Sequence, residues 1–148
     1  MSLRPYPDAE LETMWADHCD RYADDLVANG GLPEDEARAK AAKDTEWLRG
    51  LEPLLFEIEH EGVRVGRVVL GLDAFGKPGA AWLYEIVLDA SVRGRGLGAE
   101  ALGLAEGEAR SRGMTRIDLN VFGGNRVARS LYTSEGYAES SLQMGKPL

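Results

Sequence analysis

Apolar and polar positions follow two different periods along this chain. Leu11, Met14, Trp15, His18, Tyr22 and Leu26 recur at helical spacing, which predicts an amphipathic helix over residues 9 to 28. Asp8 stands where an N-cap would stand, and Asn29-Gly30-Gly31 stops the pattern. Pro33, followed by Glu34, Asp35 and Glu36, suits the first turn of a second helix that runs to about Leu48 and ends at Gly50. The period then falls to two. Leu54 to His60 and Val63 to Leu72 read as strands joined by a turn at Glu61-Gly62, with Gly66 marking a bulge. Trp82 to Leu88 is nearly all apolar, the signature of a central strand buried on both faces. A helix from about Gly96 to Arg112 sets Leu97, Ala101, Leu104 and Ala105 on one face. Gly103 and Gly107 each weaken it by about 1 kcal/mol, so close packing is expected at both. Arg116 to Val121 reads as a strand, Asn125 to Glu135 as a short helix ended by Gly136, and Tyr137 to Met144 as a last strand. With an edge strand at Leu3 to Tyr6, the order is β-α-α-β-β-β-α-β-α-β. That order predicts an α/β (α+β) fold with a mixed, mainly antiparallel sheet and helices on both faces.

Composition narrows the class. A chain of 148 residues without repeats, low-complexity segment or linker is expected to form a single domain, residues 1–148. No apolar run approaches a membrane span, and the N-terminus lacks a secretory h-region. The lone Cys19 allows no internal disulfide, which points to the cytoplasm. The net charge of −8 disfavours nucleic acid as a partner. All of the acidic excess lies in residues 1 to 62, whereas residues 63 to 148 are slightly basic. An anionic ligand is therefore expected on the C-terminal half and a cationic one near the N-terminal half. The plainer alternative makes the acids the wet faces of two helices.

Two segments carry chemistry. Val92-Arg93-Gly94-Arg95-Gly96-Leu97-Gly98-Ala99 lies between an apolar strand and a helix. Glycine lets backbone approach phosphate oxygens, a helix start offers unpaired N–H groups, and two arginines add charge. The loop lacks the dinucleotide fingerprint, because Ala99 and Ala101 follow and no strand with a terminal acid comes at the usual distance. Gly71 to Lys77 imitates a P-loop, but Pro78 stands where a hydroxyl must meet magnesium, so a hairpin loop is expected there. The second segment runs from Leu119 to Tyr137. In it Asn125 opens a helix that carries Ala128 and Tyr132. Two histidines without a cysteine cluster suggest no metal. His18 reads as a core or rim residue, and His60 as a strand-end residue that could line an acceptor site.

Together these segments resemble the GNAT superfamily of N-acetyltransferases. The loop pattern Arg/Gln-x-x-Gly-x-Gly/Ala is matched by Arg93-Gly94-Arg95-Gly96-Leu97-Gly98. The pattern Asn-x-x-Ala-x-x-x-Tyr-x-x-x-Gly-Phe/Tyr is matched by Asn125, Ala128, Tyr132, Gly136 and Tyr137. The resemblance is specific over residues 80 to 148 and compatible before them. It implies a GNAT-like sheet of six to seven strands, acetyl-CoA as co-substrate and no metal. It implies direct transfer of an acetyl group to a primary amine of a small or peptidic acceptor in a ternary complex. The alternatives are transfer of a longer acyl group, or an acyl-CoA sensor of the same fold without turnover. N–H groups of residues 94 to 99 would hold the pyrophosphate. The strand ending at Leu88 would splay from its neighbour, and the pantetheine arm would pair with Ile86, Val87 and Leu88. Asn125 would hydrogen-bond that arm, and Tyr132 would sit near the sulfur and protonate the leaving thiolate. The fold also allows a homodimer.

The attacking amine must lose a proton, which requires a carboxylate or a water chain leading to one. Glu85, in an apolar strand beside the implied thioester position, is the candidate base, since burial raises a carboxyl pKa. The alternative is that Glu85 faces a polar helix or pairs with an arginine. The donor reading has a direct check: CoA should protect the protein from thermal unfolding better than ATP or NAD does, whereas a nucleotide-binding regulatory module would show the reverse order.

Overall fold

The computed structural model describes all residues, 1–148. One five-stranded sheet runs β1 (Ser2–Pro5), β2 (Leu54–His60), β3 (Val63–Gly71), β4 (Ala80–Leu88), β5 (Arg116–Leu119), in that spatial order. The first four strands pair antiparallel, and β5 joins β4 in parallel. Helices α1 (Leu11–Ala28) and α2 (Glu34–Gly50) fall between β1 and β2, α3 (Leu97–Ser111) between β4 and β5, and α4 (Arg126–Ser134) after β5. The parallel β4–β5 pair needs a crossover, and α3 supplies it. No helix is long and apolar enough to cross a membrane.

The core has two sides. On one face Phe56, Ile58, Val68, Leu70, Ala81 and Leu83 pack against Ala101, Leu102, Ala105 and Ala109 of α3. On the other, Val69 meets Met14 and Trp15 of α1 and Leu48 of α2. α1 buries Met14, Trp15, His18, Ala23 and Leu26, the stripe its periodicity predicts.

Several expectations are corrected. The sheet has five strands, not six to seven, because residues 137 to 144 form no strand. From Ala138 onward every residue is exposed, and the segment Glu139-Ser140-Ser141 offers no apolar alternation to bury against the sheet. Asp8 does not cap α1. It opens a single 3-10 turn, Asp8–Glu10, and its side chain makes no cap bond. Gly103 and Gly107 face open space, so close packing is not their reason. Residues 71 to 79 do form a hairpin loop, with Asp73 and Phe75 in the left-handed region.

Two bulges shape the sheet. In the β2–β3 pair Ile58 opposes Gly66 and Glu59 opposes Arg64, which leaves Val65 as the extra residue beside Gly66. In the β3–β4 pair Val69 opposes Glu85 and Leu70 opposes Leu83, which leaves Tyr84 unopposed. At Gly66 the neighbouring strand comes so close that a Cβ would stand 2.1 Å from the Val87 carbonyl oxygen. Gly66→Ala should therefore cost about 2 kcal/mol or more through forced backbone separation. Urea unfolding would show this as a lower midpoint at unchanged m.

Candidate active site

The β4 bulge decides which way the site residues point. Leu83 faces the α3 side of the sheet, and Ile86 packs there too. Tyr84 packs on the α1–α2 side, and Glu85 reaches His18 of α1 on that same side. Strict alternation would send two consecutive residues to opposite faces, and one extra residue removes that rule locally.

Beyond the bulge the sheet opens. β5 pairs with β4 only from Ala80–Arg116 to Leu83–Leu119, so residues 84 to 88 have no β5 partner. The wedge between them holds a cavity of about 570 Å³. Its walls are His18, Tyr22, Asp44 and Trp47 from the two N-terminal helices, Leu83 to Val87 from β4, and Asn125, Ala128 and Tyr132 from α4 and its start. The sequence-predicted residues Glu85, Ile86, Val87, Asn125, Ala128 and Tyr132 thus meet at one cavity, far apart as they are in the chain. Residues 84 to 88 are accordingly half-buried rather than sealed on both faces. Leu88 and residues 93 to 99 do not line the cavity.

The glycine-rich loop lies past the end of β4. Gly94 and Gly96 have φ of 72° and 76°, values that glycine reaches without steric cost, and Gly96 caps α3. None of the backbone N–H groups from Gly94 to Ala99 finds a backbone acceptor. Arg93 turns back and donates from Nε to the Leu88 carbonyl at 2.9 Å, while Arg95 is exposed. At Gly98 a Cβ would meet Leu131 at 3.3 Å, so glycine lets α4 lie close to the first turn of α3. Asn125 Oδ1 accepts from the Ala128 N–H at 3.2 Å and so caps α4. Its amide NH₂ remains free to donate into the cavity.

Glu85 is held by an ion-pair network. Arg67, 7% exposed, donates from Nε to Glu85 Oε2 at 2.9 Å and from Nη2 to Oε1 at 2.8 Å. Its Nη1 donates to Asp17 Oδ2 at 2.6 Å. His18 Nδ1 lies 2.9 Å from Glu85 Oε2. Burial alone would raise the Glu85 carboxyl pKa. Hydrogen bonds and charge from His18 and Arg67 outweigh it and hold the pKa below the ordinary carboxylate value. The expected upward shift is thereby corrected, and pairing with an arginine is what the fold provides. Burial also opposes the Arg67 charge, but Glu85 and Asp17 overcome it and raise the guanidinium pKa. Burial raises the Tyr132 phenol, which stays protonated across the neutral range.

Sequence reasoning passed over part of the wall. Tyr22 donates to Asp44 Oδ2 at 2.8 Å, and Asp25, Trp47 and Tyr84 complete the end bordered by α1 and α2. Many acids of these helices pair on the surface, as Asp24 does with Arg38, and Asp44 itself also accepts from Lys40 at 2.8 Å. The available signal was His18 and Tyr22 one turn apart on an otherwise apolar stripe. No group of three or more metal-ligating side chains occurs.

Comparison with known proteins finds relatives along nearly the whole chain. The profile of the Acetyltransferase (GNAT) family matches residues 11–137. The uncharacterized N-acetyltransferase YycN of Bacillus subtilis is 30% identical over 152 residues, covering 99% of this chain and 97% of the relative. Its crystal structure superposes with a TM-score of 0.89 at 28% identity, covering 99% and 97% of the two chains. A second B. subtilis relative, the uncharacterized N-acetyltransferase YdgE, is 35% identical over 88 residues, 60% of this chain and 56% of its own. Aminoglycoside N-acetyltransferase AAC(6')-Iy in complex with CoA shares the fold at TM-score 0.61 and 14% identity, covering 99% and 98%.

Removing Arg67 should expose how far Glu85 depends on it. Arg67→Met leaves a buried carboxylate short of its main partner and should cost about 3–5 kcal/mol in urea unfolding at neutral pH. The pH dependence has a definite sign. The folded pKa of Glu85 lies below its unfolded value, so its contribution is complete above the unfolded carboxylate pKa. That contribution is lost as pH falls through the folded pKa. The wild-type advantage over Arg67→Met should therefore shrink on acidification through that range, and an advantage independent of pH would contradict the pairing.

Proposed function

Since this chain belongs to the GNAT family of acetyltransferases, we propose that it moves an acetyl group from acetyl-CoA to a primary amine. The transfer is direct, in a ternary complex, and residues 1–148 act as a single domain. The observation that carries this reading is the wedge between β4 and β5, open from Tyr84 onward and continuous with a cavity large enough for an extended arm.

Acetyl-CoA supplies the acetyl group as an activated thioester, with a thiol as leaving group. The residues present fit such a ligand. The free N–H groups from Gly94 to Ala99, with Arg93 and Arg95 beside them, form a cradle for a pyrophosphate at the start of α3. The edge at Ile86, Val87 and Leu88, free of β5, offers backbone groups to amides of the pantetheine arm, except the Leu88 carbonyl that Arg93 already holds. Asn125 donates its free amide NH₂, and Ala128 leaves room beside it. Tyr132 keeps its hydroxyl proton and presents it to the departing sulfur. Glu85 contributes a fixed negative charge at the reaction centre rather than a free base, because all three of its hydrogen bonds stabilise its ionised form.

The acceptor enters from the end bordered by α1 and α2. Asp25, which has no cationic partner, favours a cation there, whereas Asp44 is already paired with Lys40 at 2.8 Å; Trp47 and Tyr84 present ring surface to the entering cation. A protonated amine with a second positive charge or an apolar body suits this end.

Amine-dependent thiol release from acetyl-CoA tests the reading, and labelled acetyl-CoA in a cell extract identifies the acceptor by mass. Binding of CoA without thiol release under any amine would support a sensor instead. Tyr132→Phe should lower kcat by about 100-fold with little change in acetyl-CoA KM, and an unchanged kcat would reduce Tyr132 to packing. Gly96→Val, which forces a β-branched residue into the left-handed region, should weaken CoA binding about tenfold by calorimetry.

A further inference from the structure

Acetyl transfer needs a group that takes a proton from the ammonium form of the acceptor, and the network around Glu85 leaves one side chain free to do so. Both Glu85 oxygens are committed: Oε1 accepts from Arg67, and Oε2 accepts from Arg67 and His18. An ionised carboxylate has no hydrogen to give, so the His18–Glu85 bond requires the hydrogen on Nδ1. In the neutral ring Nε2 then holds the lone pair. That nitrogen has no hydrogen-bond partner in the chain, and it is not among the side-chain atoms sealed from solvent without one. The ring lines the cavity although the residue as a whole is only 6% exposed. Trp15 meets it edge-on at 5.5 Å between centroids, and Tyr22 flanks it at 6.4 Å. Its orientation is therefore set on three sides, and the remaining nitrogen is the one that can reach the cavity.

We propose that His18 Nε2 is the proton acceptor for the attacking amine, with Glu85 as the positioning residue that fixes its tautomer and Arg67 as the anchor of Glu85. The assignment rests on the acetyltransferase reading of the cavity. His18 takes one proton from the ammonium group, directly or through one water, and becomes imidazolium beside Glu85. The freed nitrogen lone pair forms the N–C bond at the thioester carbonyl carbon, and the C–S bond breaks with its electron pair going to sulfur. Tyr132 gives its hydroxyl proton to that sulfur and recovers one from the amide-forming nitrogen, which loses its second proton. His18 releases its proton to solvent. The products are the N-acetyl amide, CoA thiol and one proton, so atoms and charge balance.

The charged and titratable groups that share the cavity with the ring, or bond its partners, are Glu85 and Tyr84 on β4, Arg67 on β3, Asp17, Arg21, Tyr22 and Asp25 on α1, Asp44 with its partner Lys40 on α2, and Tyr132 on α4. Among them only Glu85 bonds the ring directly, so it alone fixes the hydrogen on Nδ1.

The experiment is the pH dependence of kcat, measured as thiol release from acetyl-CoA with a series of primary amines that includes 1,4-diaminobutane, tyramine and lysinamide. The proteins are wild type, His18→Gln, His18→Ala and Glu85→Gln. His18→Gln should lower kcat about 100-fold and remove the acid limb of the profile, with acetyl-CoA KM within about twofold. Added imidazole should restore part of the activity of His18→Ala. Glu85→Gln should lower kcat less than His18→Gln does, because the base remains and only its tautomer is held less firmly. CoA binding by calorimetry verifies that each variant is folded. In addition, ¹⁵N spectra of the wild-type imidazole should show the Nδ1–H tautomer, a readout that needs no turnover. If the active wild type and His18→Gln share kcat and acid limb, or if Glu85→Gln alone abolishes that limb, the base is not His18. If wild-type protein releases no thiol with any amine, the acetyltransferase reading fails, and the His18 assignment fails with it.

Discussion

The ion pair between Arg67 and Glu85 is the constraint on which the centre of this molecule depends. Both side chains are nearly buried, and neither charge would be tolerated there alone. Each strand supplies one partner, so the pair ties β3 to β4 where β4 has just left its other neighbour. Asp17 extends the pair to one point on α1, and His18 returns to the adjacent residue of the same helix. The helix is thus clamped to the sheet by polar contacts at the place where the cavity needs a wall. Apolar packing of Met14 and Trp15 on Val69 supports the same interface from one side.

The bulge at Tyr84 makes this pair geometrically possible. Without it, Glu85 would follow strand alternation away from Tyr84 and into the face that packs on α3. With it, Tyr84 and Glu85 both serve the α1–α2 side, while Leu83 and Ile86 keep the α3 side apolar. The last rung of the β4–β5 ladder falls at Leu83, immediately before the bulge. A single extra residue therefore coincides with three features: the end of strand pairing, the opening of the cavity and the reversal of an acidic side chain. The two ends of the cavity meet there, one lined from α4 and the other from α1 and α2.

Most elements and the glycine-rich loop were legible in the chain for local reasons. The α1 stripe from Leu11 to Leu26 and the hairpin turn at Glu61-Gly62 report directly on periodicity and turn chemistry. So do the left-handed glycines of residues 94 to 96, because φ freedom belongs to the residue itself. Asn125 as the cap of α4 is equally local. The strand expected over residues 137 to 144 failed because period alone cannot say whether a sheet edge will receive a segment. Asp8 failed as a cap because a preceding 3-10 turn used its backbone first.

What the sequence by itself determined was every element but the last expected strand, their order, and the glycine-rich loop between β4 and α3. Those follow from propensities and spacings within a few residues. What only the tertiary structure decided was the state and company of Glu85. Its partners stand at positions 18 and 67, and whether they can meet depends on the register of β3 against β4 and on one unopposed residue. The sequence showed a carboxylate in an apolar strand, for which burial argues an upward pKa shift. The fold brought an arginine and a histidine to it, and at hydrogen-bond distance their combined effect exceeds the cost of desolvation.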